Sequence, residues 1–123
     1  MTDLALSEQL RSAYGSDIIS GRNDATAVLI LHGQSVRVPT TLEVGGGMVR
    51  LYAGRIVHAV ALEDQDDLRH VVALVEAVQR GGACELYSSE GGTATFVGHT
   101  ITGDGFRYET TDVDVSALTS VPL

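Results

Sequence analysis

The side chains in this chain best suited to chemistry near neutral pH are four histidines, His32, His58, His70 and His99, and one cysteine, Cys84. A structural metal site is usually announced by short repeats such as HxH, HxxxH or CxxC, because one turn or strand must deliver two ligands to one ion. No two of the histidines stand at such a spacing, and Cys84 has no second cysteine. Neither a metal nor a cofactor is expected. A nucleophilic cysteine needs a base and an orienting group. Nothing near Cys84 in sequence supplies them, so it reads as a small buried hydrophobe. Gly45-Gly46-Gly47 has the composition of a phosphate cradle, but it matches neither GxxxxGK[ST] nor GxGxxG, and a strand follows it instead of a helix. The acids Glu63, Asp64, Asp66 and Asp67 lack the spacing of a calcium loop and read as a solvated helix start. No catalytic residue is assigned.

His58 is the histidine that the pattern singles out. It lies in the stretch Thr41–Leu62, which reads as three consecutive strands. Gly45–Gly47 closes the first hairpin, since glycine reaches positive φ without a Cβ clash. Ala53-Gly54 reads as a two-residue turn closing the second. With Tyr52 set opposite Arg55, alternation puts Val49, Leu51, Ile56, His58, Val60 and Leu62 on one face. That is the core candidate, and His58 on it reads as a neutral, hydrogen-bonded core histidine. The alternative is pH sensing or ligand binding there. The opposite face carries Met48, Arg50, Tyr52, Arg55, Val57 and Ala59, a mixture suited to water or to a partner.

Other elements must hold this hairpin. Thr2–Tyr14 reads as a short helix with Leu6, Leu10, Ala13 and Tyr14 on one face and Gly15 as its stop. Ser16–Asp24 is turn-like. Ala25–Leu31 is a continuous apolar run, the pattern of a strand buried on both faces. His32-Gly33-Gln34 turns the chain. Val36 and Val38 begin an extended piece that Pro39 consigns to an edge or a bulge. The main helix is expected over about Asp64–Arg80. Leu68, Val71, Val72, Val75 and Val78 form its apolar stripe, its first turn is acidic, and Glu76–Arg80 is a favourable i, i+4 pair. Strands follow at Ala83–Tyr87, Thr93–Thr102 and Phe106–Thr110. The tail from Asp112 reads as a last edge strand or a docked extended segment.

Composition bounds the rest. The 123 residues fit one domain, 1–123, large enough to bury a core. The net charge is −8, which disfavours nucleic acid and anionic membranes. No apolar run approaches the roughly 20 residues that span a bilayer, so no membrane insertion is expected. The start MTDLALSEQL has neither the basic opening nor the apolar segment of a signal peptide, and a cytoplasmic location is expected. All eight basic residues are arginine, a usage that suggests a GC-rich bacterial genome.

The run TLEVGGGMVRLYAGRIVHA, followed by a helix and then GGACELY, resembles the PatA-like N-terminal domain of bacterial signalling proteins. The likeness covers Thr41 to Tyr87 and rests on Gly54, Arg55, Ile56, Val57, His58, Ala59 and Gly82. A second resemblance is to the roadblock/longin-like dimeric regulators of small GTPases. There Met48–Leu62 would be the first hairpin, Leu68–Val78 the central helix and Ala83–Thr110 the remaining strands. Both resemblances imply a non-enzymatic, protein-binding module in signalling or polarity control, and neither identifies catalytic residues.

These readings converge on an α+β domain. It is expected to have a mostly antiparallel sheet of about six or seven strands, one main helix packed on one face and a short N-terminal helix. The function expected is a protein-interaction or regulatory module, a homodimer whose contact residues are Met48, Arg50, Tyr52, Arg55 and Val57. The alternative is a small-molecule-binding domain or small enzyme with a pocket near His58 and His99.

Overall fold

The computed structural model describes residues 2–15, 18–23, 26–32, 38–111 and 113–123. Helix α1 spans Thr2–Tyr14. Strands β1 (Ile18–Asn23), β2 (Thr26–Leu31), β3 (Thr40–Gly45), β4 (Met48–Ala53) and β5 (Ile56–Ala61) form an antiparallel sheet in sequence order. Helix α2 (Gln65–Gln79) then carries the chain to β6 (Ala83–Ser88), β7 (Thr95–Gly103), β8 (Phe106–Thr110) and β9 (Thr119–Pro122). These four make a second antiparallel sheet, ordered β8-β7-β6-β9. The architecture is α+β, as the pattern implied, but the nine strands among the described residues divide between two sheets. The expected count of six or seven in one sheet is corrected by β1, by β9 and by the separation at α2.

The first sheet has a core face and an open face because its registers keep side chains in rows. Leu29, Leu42, Leu51 and His58 lie opposite one another across β2 to β5, and Ala27, Val44, Val49 and Val60 form the next row. Both helices pack on this face. Leu6 and Leu10 of α1 join Leu29, Leu31, Leu42, Val44, Val49, Leu51 and Ile56 in one buried cluster with Leu68, Val71, Leu74, Val75 and Val78 of α2. That cluster extends into the second sheet through Ala83 and Ile101. Helix α2 touches β3 and β5 on one side and β7 on the other, so it is the wedge between the sheets.

The start of α2 follows from its acids. Asp64 caps it by accepting from the Asp67 amide at 2.9 Å, and the Asp67 carboxylate accepts from the Glu63 amide at 2.9 Å. This reciprocal arrangement satisfies amides that the first turn cannot bond internally. Arg80 pairs with Glu76 as the spacing implied. The apolar stripe needs one correction: Leu74 is fully buried, whereas Val72 is only half-buried at its edge.

Other expectations also shift. The turn-like stretch Ser16–Asp24 contains β1, whose ladder with β2 overrides the weak strand propensity of Gly21 and Arg22. Pro39 stands just before β3, and β3 is interior, between β2 and β4. The proline therefore marks a strand start and not an edge. The β4–β5 turn is Gly54-Arg55, with Ala53 opposite Ile56 and Tyr52 opposite Val57. The expected register is thus displaced by two residues. An even displacement preserves alternation, so His58 keeps its core face and Val57 its outer one. Arg55 moves from the strand into the turn. The tail forms edge strand β9 beside β6, preceded by a short 3-10 turn at Val115–Ala117. The expected turn at Gly33-Gln34, the extended start at Val36, and Asp112 lie outside the described residues.

Candidate functional site

The two sheets meet where β5 approaches β7, and five side chains with titratable or hydroxyl groups meet there. His58 comes from the core face of β5 and is 7% exposed. His99 comes from β7, is 4% exposed, and stands opposite Thr110 of β8. Its Nε2 lies 3.0 Å from His58 Nδ1, while its Nδ1 lies 2.7 Å from Thr110 Oγ1. Tyr108, two residues before Thr110, sets its ring edge-on to His58 with centroids 4.6 Å apart. Its hydroxyl is 2.5 Å from Nε2 of His70, which extends from α2.

Hydrogen-bond bookkeeping makes Thr110–His99–His58 a relay. If the Thr110 hydroxyl donates to His99 Nδ1, then His99 Nε2–H donates to His58 Nδ1. If His99 Nδ1–H donates to Thr110 instead, the His58–His99 bond reverses and both rings change tautomer. Either way His58 Nε2 ends the chain, and it is buried without a hydrogen-bond partner. Burial pushes the His58 pKa down, and the neighbouring His70 charge adds to this. His99 is pushed down to about 4, first by burial and then by His58. Both rings are therefore neutral at pH 7, and one N–H bridges the two imidazoles.

A β-bulge shapes the space beside the relay. Leu86 pairs with Gly98 and Tyr87 with Phe96, which leaves Val97 as an extra residue in β7. Gly98 permits the close approach of β8, since a Cβ there would lie 1.9 Å from the Thr110 carbonyl oxygen. The result is an open groove of about 490 Å³. Arg55, Val57, His58 and Ala59 line one side, and Phe96, Val97, Gly98, His99 and Thr110 the other. The β4–β5 turn is fastened at its end: the Arg55 amide donates to Glu85 Oε2 at 2.6 Å, and Gly54 (φ 57°) leaves room for that carboxylate.

A hydroxyl on an imidazole that is held by a second group has the outline of a nucleophile, base and orienter. The electrostatics oppose that use. A base whose conjugate acid has a pKa of about 4 takes a hydroxyl proton poorly at neutral pH. The orienting group is a neutral imidazole, which stabilises an imidazolium far less than a carboxylate does. Among the described residues no group of three His, Cys, Asp or Glu side chains is placed to hold a metal ion.

The structure thus brings His58 and His99 together, and with them His70, another of the four histidines, and Tyr108 and Thr110, which were not among the candidate residues. Thr110 had a signal: a two-residue turn at Asp104-Gly105 puts it opposite His99. Tyr108 and His70 had none, because their meeting depends on where α2 lies across the second sheet. His32 is exposed outside this cluster, and Cys84 is a half-buried free thiol in β6.

The contact residues expected on the outer face are found there, Arg55 excepted. Met48 is 43% exposed, Val57 54%, Arg50 exposed and Tyr52 half-buried. The register aligns Ile30, Thr41, Tyr52 and Val57 in one outer row and Val28, Glu43, Arg50 and Ala59 in the next. Comparison with known proteins returned nothing: no family model, curated protein or solved structure matches the chain.

Proposed function

We propose that this domain is a non-enzymatic interaction module, a regulatory part of bacterial cytoplasmic signalling or polarity control that binds another protein. The observation that carries the reading is the one-sided packing of the first sheet. Both helices lie on its core face, and the outer face keeps Met48 and Val57 largely in water beside Tyr52 and Arg50. Exposed apolar residues interspersed with charge are common at association sites, and tyrosine and arginine are enriched at their centres. A homodimer through this face is part of the proposal. The charge of −8 supports a protein partner over nucleic acid.

The test is affinity capture from the native extract with two baits, the unaltered chain and a Met48→Glu/Val57→Glu variant of equal melting temperature. Proteins held by the first and lost from the second support the module. Identical captures count against it. The groove beside His58 and His99 favours a second reading, binding of a small polar ligand, because two neutral imidazoles and a hydroxyl converge there. A ligand that shifts the His99 ring resonances without touching Tyr52 would support that reading.

A further inference from the structure

The edge of the first sheet at β5 is open in a way the other described edges are not. In an antiparallel ladder, alternate residues turn their N–H and C=O groups away from the partner strand. The tight turn between Ala53 and Ile56 makes 53/56, 51/58 and 49/60 the mutually bonded pairs of β4 and β5. The amides and carbonyls of Val57, Ala59 and Ala61 therefore point outward. Among the described residues no backbone or side-chain group bonds to them. All three residues are exposed, and two are alanines.

Proteins normally blunt a free edge with charge, proline or brevity. β8 does so with Arg107 and Glu109, which pair with each other at 2.8 Å. β9 is four residues long and includes Pro122. β1 carries the exposed Arg22. On β5 nothing of the kind protects Val57–Ala61, and the groove between β5 and the bulge of β7 runs along its first half.

We infer that β5 is a strand-acceptor edge: an extended peptide from a partner protein adds to it antiparallel, in the groove between Val57–Ala59 and Phe96–His99. This rests on the interaction-module reading and names how the partner is held. Only another extended main chain offers donors and acceptors at the spacing of Val57, Ala59 and Ala61. A second folded copy fits less well, because its β5 would bring β4 with it into a groove already walled by β7.

The lining states the peptide's chemistry. Its residue opposite His58 shares the inward face, toward His99 and Thr110. A side chain that can hydrogen-bond suits that position, since the exposed Thr110 lines the groove there. Arg55 is the only full cation lining the groove. In an antiparallel strand it faces the peptide residue three positions later, and a carboxylate belongs there.

The experiment pans a random nonapeptide display library on the intact domain and measures amide exchange with synthetic copies of the peptides selected. The expected result is slowed exchange at Val57, Ala59 and Ala61, with a polar residue followed three positions later by Asp or Glu in the selected sequences. Ala59→Pro should weaken binding about tenfold or more with little change in melting temperature, because the amide it removes is unused in the fold. Ala59→Lys serves as a second variant, which keeps the amide but crowds the edge. Peptides that bind both variants undiminished overturn the inference. So do peptides whose effects are confined to Met48, Arg50 and Tyr52, an outcome that leaves the interaction module standing. A library without binders, or edge protection that appears only as the protein dimerises, also overturns the peptide as occupant. Loss of the module itself is read separately, from the paired capture.

Discussion

Nε2 of His99 and Nδ1 of His58 lie 3.0 Å apart, each imidazole carried by a different sheet. This bond, the Arg55–Glu85 bond and α2 join the sheets, and the His58–His99 bond is lost once both rings are protonated, because no acceptor nitrogen then remains. Its acid sensitivity has a definite sign. Burial lowers both pKa values in the folded state, that of His99 to about 4, while in the unfolded chain each stays near 6.5. Between those values the unfolded state binds more protons, so stability rises with pH across the window. The contribution is complete above about pH 6.5 and is lost as pH falls toward 4. Melting temperature should fall between pH 6.5 and 5, where carboxylates change little. A flat profile over that interval, or a His99 resonance titrating near 6.5, would show the ring to be freely hydrated.

The core of α2 is centred on Leu74 and Val75. Leu74→Ala removes a fully buried side chain from the core cluster and should cost about 2–5 kcal/mol. Val72→Ala, at the half-buried edge, should cost less than about 1 kcal/mol. Urea unfolding of the two variants gives the comparison, and equal losses would mean that the helix is rotated from the orientation described.

Gln79 and Thr40 make a buried polar pair, with Gln79 Nε2 donating to Thr40 Oγ1 at 2.7 Å. Thr40→Val strands the amide and should destabilise by about 1–3 kcal/mol. Adding Gln79→Met removes the stranded group, and the double variant should recover part of that loss. Simple additivity of the two substitutions would contradict the pairing.

Gly98 lets β8 close over the bulge. Gly98→Ala places a methyl against the Thr110 carbonyl and should cost about 1–3 kcal/mol through forced displacement. The same shift should lengthen the Thr110–His99 contact, visible as a change in the His99 ring nitrogen resonances. Unchanged resonances would separate the glycine from the relay.

Light scattering tests the proposed outer-face dimer. A mass near twice 13.0 kDa at micromolar concentration is expected, and Tyr52→Asp with Arg50→Glu should reduce it without loss of helicity. A species of 13.0 kDa for the unaltered chain would remove the dimer from the proposal.

Alternation and turns made the central hairpins legible in the sequence. Glycine at 46–47 and at 54 stops each strand, and a period of two assigns Val49, Leu51, Ile56 and His58 to the core even when the register is displaced by two. The α2 stripe was legible for the same reason: a local period needs no knowledge of the partner surface. Three features required the tertiary structure. β1 holds as a strand because β2 supplies the hydrogen bonds that Gly21 and Arg22 do not call for. Leu74 is buried because a helix wedged between two sheets needs a wider apolar face than one lying on a single sheet. The cluster depends on packing above all: His58, His70 and His99 come from two sheets and a helix, and no sequence spacing specifies the distance between side chains whose backbones share no ladder. Only the burial of α2 between the sheets brings them together.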